Sequence, residues 1–340
     1  MNAHRVSGSA EFLALLPHLA GMPVTDSVVL VPFTGTRSSG AMRLDRARFL
    51  TDPAAAAVTA IGLACNLENV DGLVIVLTTP NPTRETTADL VALLELARAA
   101  DRAGHDVRDL LLVTSDEWIS LTGRTRGALP QVPDTLDGQT LGDPATLGRL
   151  PEIDPDAAHA THRRRAADTA AAAAAVAVDD PAAALTLLRA GLAGDPDGIG
   201  WNVAARFGVL RTLALVLAGW GSDAAAAVWP ELTGAPLVGE ASFGVQVLCG
   251  GNVCRPDAAG LQALADALTA AASGGNEDER GDLAAMLAWT HWALGRGSIA
   301  ARLAAAATGL NPGSDLAASV TTLTGIGRLP EWAFRAEPHA

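Results

Sequence analysis

The sequence predicts an α/β N-terminal domain, with a mainly parallel sheet flanked by helices, followed by an all-helical C-terminal domain. Two observations lead to this prediction. Short apolar runs alternate with helix-like segments over residues 1–125, whereas residues 157–340 consist almost entirely of segments with helical periodicity. Unbroken apolar runs of strand length are typical of strands buried on both faces, and strands that alternate with helices are typical of parallel sheets.

The N-terminal domain contains three candidate buried strands separated by candidate helices. The strands are predicted at residues 28–33, 73–77 and 110–113, with a weaker one at 41–44. Asp52 followed by Pro53, and Asn81 followed by Pro82, are each typical of an N-cap and a first helical position. These pairs predict helices that run to about residue 65 and residue 102.

The composition of the chain changes between the two predicted domains. Residues 126–156 are rich in proline and glycine and have little periodicity, which predicts a linker or an extended crossing segment. The helical domain is then predicted over residues 157–340. Its one strand-like segment is 243–248, and a strand at this place would contradict an all-helical domain.

Residues 282–312 carry the signature of a helical hairpin. A turn is predicted at residues 295–297, and Pro312 ends the second helix. Ala288, Ala300 and Ala307 would lie where the two antiparallel helices approach closely. The segment resembles a tetratricopeptide-like hairpin. The alternative is an ordinary helical hairpin within a bundle.

Composition excludes several classes of function. The formal net charge is −13, and all 24 basic residues are arginine. This charge argues against a nucleic-acid binder, because phosphate neutralisation requires an excess of basic residues. Without lysine there is no nucleotide-binding loop that ends in lysine and no Schiff-base anchor for a cofactor, so no cofactor is expected.

The cysteines and the longest apolar segment bear on localisation. Three cysteines form no disulfide framework and suit a reduced compartment. Residues 203–220 are apolar but include Arg206 and Arg211, which would be costly inside a bilayer. The chain is therefore expected to be cytoplasmic, without a membrane span.

Polar residues follow the second and third buried strands. The candidate ligand-binding residues are Thr78, Thr79, Asn81, Thr114, Asp116 and Glu117. If the strands are parallel, these side chains and those of residues 34–36 meet at one edge of the sheet, where α/β proteins bind ligands. The alternative is that they only form turns and N-caps. Since neighbours on an extended chain point to opposite sides, only one of the two carboxylates is expected to face a cleft, and Asp116 is favoured.

Two further pairs have spacings compatible with a metal, but no metal is expected at either. His159 and His162 would share one helix face and lack a third ligand. Cys249 and Cys254 lack a second pair and are expected to be free, mostly buried thiols. The histidines and the arginines at 163–165 are expected to form a solvated basic face of this helix near the linker. The alternative is that the arginines bind an acidic patch of a partner or the acidic linker.

The opening segment resembles a known family. Residues 13–21, with their Leu-Pro-His-Leu-Ala-Gly ending, and residues 26–32, which begin Asp-Ser, are similar to the start of the actinobacterial domain-of-unknown-function family 4192. The resemblance extends to residues 104–113, Trp229 and residues 288–312. It implies common ancestry and supplies no activity.

Two functions remain open. The first is a non-enzymatic binding or scaffold protein that contacts a protein partner through its helical domain. The alternative is an enzyme that acts on a small acidic or phosphorylated metabolite with a divalent ion at the strand carboxyl ends. The absence of recognisable catalytic motifs favours the first.

Overall fold

The computed structural model describes residues 4–38, 40–136, 139–141, 146–178, 181–195, 198–234, 243–251 and 253–334. The chain divides into two compact units, Met1–Leu147 and Gly148–Ala340. The first unit contains a sheet with helices, and the described part of the second contains only helices. This confirms an α/β N-terminal region followed by a helical C-terminal region.

The first unit begins with a helix and continues with strands and helices in alternation. Its helices are α1 (Ser9–Leu19), α2 (Arg46–Thr51), α3 (Pro53–Ala64) and α4 (Thr87–Arg102). Its sheet strands are β1 (Ser27–Thr34), β2 (Arg37–Ser38), β3 (Met42–Asp45), β4 (Gly72–Thr78), β5 (Asp106–Val113), β6 (Glu117–Ser120) and β7 (Thr125–Ala128). A 3₁₀ turn, Thr83–Glu85, precedes α4, and a small separate ladder joins β8 (Thr135–Leu136) to β9 (Gln139–Thr140).

The sheet is mixed and mostly antiparallel, so the prediction of a mainly parallel sheet is wrong. Its order is β2-β1-β4-β5-β6-β7, with β3 also paired to β1. Among its pairs only β4 and β5 run parallel, connected through α4. β1 runs antiparallel to β4, and the three residues between β5 and β6 are too few for a parallel crossover.

Helices cover both faces of the sheet, which explains why the antiparallel strand β1 has the unbroken apolar sequence that is typical of a parallel strand. Val28 and Leu30 pack with α2, α3 and α4, whereas Val29 and Val31 pack with α1. All four side chains are fully buried. An unbroken apolar run therefore reports burial on both faces and not strand direction.

One of the two predicted helix starts is confirmed and the other is wrong. Asp52 caps α3 as expected, because its carboxylate accepts the Ala55 N–H at 3.1 Å and Pro53 is the first helical residue. Asn81 and Pro82 do not begin α4, which starts at Thr87 after the 3₁₀ turn. The prediction at Asn81 is wrong because residues 79–86 first cross the edge of the sheet.

The second unit contains nine helices among its described residues. They are α5 (Pro155–Ala177), α6 (Pro181–Leu192), α7 (Trp201–Ala204), α8 (Gly208–Leu232), α9 (Phe243–Cys249), α10 (Ala258–Ala272), α11 (Glu277–Ala293), α12 (Gly297–Leu310) and α13 (Asp315–Gly325). The strand-like segment at 243–248 is helical, as part of α9. A short 3₁₀ turn, Glu331–Phe334, follows α13.

Helix α8 is the one described helix that is long and apolar enough to cross a membrane by length and composition. It is kinked at Gly221, where φ is 80°. In its most apolar window 61% of the residues are buried within the protein, which is the pattern of a core helix.

Helix α11 forms the centre of the second unit. Its neighbour α12 follows a turn at Gly295, whose φ of 77° suits glycine. Ala288, Ala300 and Ala307 are fully buried. A Cβ added at Gly281 would lie 2.7 Å from Asn311 Cβ, so the two ends of the hairpin are closely packed.

Candidate functional site

The parallel pair of β4 and β5 brings the predicted strand-end residues to one edge of the sheet. Thr79 N–H donates to Val113 O at 2.8 Å, and Ser115 N–H donates to Asn81 O at 3.2 Å. The segments that follow the two strands are therefore linked directly by backbone hydrogen bonds.

The antiparallel direction of β1 changes which residues lie beside the ends of β4 and β5. Residues 34–36 follow the other end of β1 and lie at the opposite edge, so the expectation that they join the cluster is wrong. The start of β1 takes their place, because Ser27 N–H donates to Thr78 Oγ1 at 3.0 Å. Because β1 and β4 run in opposite directions, residues 34–36 are absent from this edge and Ser27 is present there.

Asp116 is held by hydrogen bonds from two threonines. Its Oδ1 accepts from Thr114 Oγ1 at 2.6 Å, from Thr83 Oγ1 at 3.1 Å and from Thr83 N–H at 3.2 Å. These bonds, with the one from the Thr114 hydroxyl first, hold the pKa of Asp116 below its ordinary value. Asp116 is exposed and stays ionised at neutral pH, which makes it unsuited to general-acid work.

Glu117 points to the same threonine. Thr83 Oγ1 lies 2.9 Å from Glu117 Oε1, and Arg126 Nε lies 4.0 Å from Glu117 Oε2. The expectation that only one carboxylate faces this side is therefore wrong. Asp116 lies in a bend and β6 begins only at Glu117, so the alternation of an extended strand does not apply to the pair.

Thr83 is the residue of this cluster that sequence reasoning missed. A hydroxyl has one proton, so it donates to one of the two carboxylates at a time. No local pattern marks Thr83 in the sequence, because it comes to the cluster through the crossing segment that precedes α4.

The remaining predicted residues serve the turns of the chain. Thr78, Thr79 and Thr114 are buried. Thr79 Oγ1 accepts Asn81 N–H at 3.2 Å, and Thr114 Oγ1 lies 2.8 Å from Glu117 O. These bonds satisfy backbone groups at the ends of strands, which is the role that the capping alternative gives them.

A buried ion pair that the sequence analysis did not anticipate lies between α2 and α4. Arg46 donates to both carboxylate oxygens of Asp89, at 2.5 and 3.1 Å, and to Asp26 Oδ1 at 2.9 Å. Asp89 is fully buried. The hydrogen bond to Asp89 is the main reason that the pKa of Arg46 is raised above its ordinary value.

The two pairs with metal-compatible spacing, His159 with His162 and Cys249 with Cys254, gain no third ligand among the described residues. Among the described residues no three His, Cys, Asp or Glu side chains form a group that could hold a metal ion. His159 and His162 are exposed on α5. Cys249 and Cys254 form no disulfide and are exposed, so the expectation of mostly buried thiols is wrong. Each lies at or beyond the end of the short helix α9, where the bundle does not cover it.

Two of the three clustered arginines contact their own helical unit. Arg165 donates to both oxygens of Glu279, at 2.7 and 2.9 Å, and Glu279 is fully buried. Arg164 donates to Gly198 O at 2.8 Å. These contacts hold α5 against the start of α11 and the loop before α7. The expectation of a solvated basic face is therefore wrong for Arg165, whose partner Glu279 is buried, and neither contact is with the linker.

No family model, no curated protein and no solved structure matches this chain. The resemblance to family 4192 stays a prediction. The fold and the site define the chain only as a protein with a mixed α/β unit and a helical unit.

Proposed function

We propose that this chain is a non-enzymatic binding or scaffold protein of the cytoplasm that contacts a protein partner through its helical unit. The observation that carries the proposal is the hydrogen bonding at the strand ends. The hydroxyls of Thr83 and Thr114 are used by Asp116, Glu117 and backbone groups. Polar groups already paired with one another are poorly suited to bind a substrate, because each new contact would replace an existing one.

The helical unit supplies the contact surface in this proposal. The hairpin of α11 and α12 resembles a tetratricopeptide-type pair, with small buried residues at Ala288, Ala300 and Ala307. Helix α13 follows directly and packs on the same pair. Stacked helices of this kind present an extended surface for a partner protein.

An extract-binding experiment with matched variants tests which unit makes the contact. Two exposed apolar residues, Ile326 after α13 and Val58 on α3, have relative exposures of 66% and 59%. Immobilised wild type is expected to retain a protein from cell extract, Ile326→Glu to lose it, and Val58→Glu to keep it. Loss with Val58→Glu alone would place the contact on the first unit and contradict the proposal.

A second candidate function is an enzyme that acts on a small acidic or phosphorylated metabolite with a divalent ion. The convergence of Asp116 and Glu117 on Thr83 favours it, because two carboxylates on one side of a cluster are suitable ligands for magnesium. This function would use the strand-end residues predicted from the sequence.

A thermal-shift screen distinguishes the two functions. Wild type and Asp116→Asn are heated with a set of phosphorylated and carboxylic metabolites, each with and without magnesium. The scaffold proposal expects no metabolite to raise the Tm of the wild type. A magnesium-dependent increase that disappears in Asp116→Asn would establish the second function instead.

The proposal also includes two expected absences of binding. With a net charge of −13 and two of its clustered arginines engaged internally, the chain is expected to bind neither nucleic acid nor membranes. The absence of cofactor chemistry expected from the sequence stays a prediction.

A further inference from the structure

A thiol and an imidazole meet at the surface of the first unit. Cys65 Sγ lies 3.5 Å from His105 Nε2, although the residues are 40 positions apart in the chain. Cys65 caps the end of α3, where its backbone N–H donates to Ile61 O at 2.9 Å. His105 lies between α4 and β5, and its N–H donates to Ala100 O at 3.0 Å. Backbone hydrogen bonds of two helices that pack together thus fix both positions.

This arrangement is the one that activates a sulfur nucleophile. A base within hydrogen-bonding distance takes the thiol proton as the sulfur attacks. The Nε2 atom can accept that proton when the ring proton is on Nδ1. Cys65 is also exposed, so a small molecule can reach it. We propose that Cys65 is a thiol-modification site that reacts with low-molecular-weight disulfides, with His105 as its general base.

The proposed reaction is a thiol–disulfide exchange. Cys65 Sγ attacks one sulfur of the small disulfide while its proton passes to His105 Nε2. A new sulfur–sulfur bond forms to Cys65, and the sulfur–sulfur bond of the reagent breaks. The leaving thiolate takes the proton from the imidazolium and departs as a thiol. The products are a mixed disulfide at Cys65 and one small thiol, and no further oxidant is consumed.

The imidazole of His105 is the feature that sets Cys65 apart from the other exposed thiols. Cys249 offers a control within the same chain, because it is also exposed and also ends a helix, α9. Among the described residues, the Sγ atoms of Cys249 and Cys254 make no hydrogen bond. The presence of the imidazole therefore distinguishes Cys65 from Cys249.

The test measures the rate of modification at each thiol separately. The reduced full-length protein is treated with hydroxyethyl disulfide at neutral pH, and peptide mass spectrometry follows the three cysteines over time. Cys65 is expected to react about tenfold faster than Cys249, below the usual range for a positioned base because the pair is exposed. His105→Gln is expected to reduce the Cys65 rate to that of Cys249.

Two comparisons make the result decisive. His162→Gln, which removes an exposed imidazole on another helix, should leave all three rates unchanged. The circular dichroism spectrum and the Tm of His105→Gln should match those of the wild type, which shows that the variant is folded, and its rates at Cys249 and Cys254 should be unchanged. Equal rates for Cys65 and Cys249 in the wild-type protein would overturn the proposal without any variant. A fast Cys65 that is insensitive to His105→Gln would also overturn it.

Discussion

The Thr83 hydroxyl organises the strand-end cluster, since it lies within 3.1 Å of Asp116 Oδ1 and 2.9 Å of Glu117 Oε1. It connects the segment before α4 with the start of β6. At the scale of single residues, the pKa of Asp116 therefore reports whether this contact forms in solution.

Thr83→Val tests the contact. The substitution removes the hydroxyl donor and is expected to raise the pKa of Asp116 towards its ordinary value of 3.8. The pKa should stay below that value, because the Thr114 hydroxyl still donates to the carboxylate. A carboxyl-carbon NMR titration measures it. Thr87→Val, at an exposed site on α4, is the control, and equal titration midpoints in Thr83→Val and the wild type would contradict the contact.

His291 is expected to make the stability of the helical unit depend on pH. Burial, with a smaller contribution from the charge of Arg296, lowers the pKa of His291 from 6.5 to about 4. The unfolded chain therefore binds more protons between these values, and acidification favours unfolding. The stability contributed by the neutral imidazole is complete above pH 6.5 and is lost as the pH falls towards 4.

The difference between pH 8 and pH 5 should be about 2 kcal/mol in the free energy of unfolding. Urea unfolding of wild type and His291→Gln at both pH values measures it. The variant should lose less stability than the wild type on acidification, since the other titrating groups are common to both proteins. Parallel losses in the two proteins would show that His291 does not contribute.

At the scale of elements, the ion pair of Arg46 and Asp89 connects α2 to α4. Arg46→Met is expected to destabilise the first unit by about 3 kcal/mol or more, because it leaves the Asp89 carboxylate buried without its partner. Arg84→Met breaks the exposed pair with Glu85 and should change stability by less than about 0.5 kcal/mol. Chemical unfolding compares the two variants, and similar effects would show that the Asp89 pair is solvated.

The contact of α10 with α8 depends on a glycine. A Cβ at Gly260 would lie 2.2 Å from the backbone oxygen of Ala218. Gly260→Ala is therefore expected to destabilise the second unit by about 1–3 kcal/mol, because a backbone atom of α8 cannot rotate away. This cost exceeds the gain of up to about 1 kcal/mol in helix propensity.

Gly62→Ala is the matched control on α3. No atom lies within 4 Å of its added Cβ, so only the gain in helix propensity remains. Thermal unfolding should show a lower Tm for Gly260→Ala and an equal or higher Tm for Gly62→Ala. An increase in Tm for both would mean that α10 and α8 are further apart than described.

At the scale of the whole molecule, the net charge of −13 dominates the expected behaviour towards polyanions. The protein is expected not to shift the mobility of double-stranded DNA in a gel at physiological salt, because it lacks an excess of basic residues to displace counterions. A shift that weakens as salt is added would indicate a local basic surface that outweighs the total charge.

The local features of both units were predictable from the sequence. The strands β1, β4 and β5, the cap at Asp52 and the hairpin of α11 and α12 follow from apolar periodicity and from turn chemistry. Each of these signals depends on residues within a few positions of one another. The order of residues is therefore sufficient to locate them.

The sequence by itself determined where the buried strands β1, β4 and β5 and most of the helices lie, and that an α/β region precedes a helical one. The tertiary structure decided the direction of β1, the partner of Arg46, the convergence of Asp116 and Glu117 on Thr83, and the meeting of Cys65 with His105. The physical reason is the range of the interactions. Burial on both faces gives the same apolar run whatever the direction of the neighbouring strand, and contacts across some 30 to 50 residues leave no local periodicity.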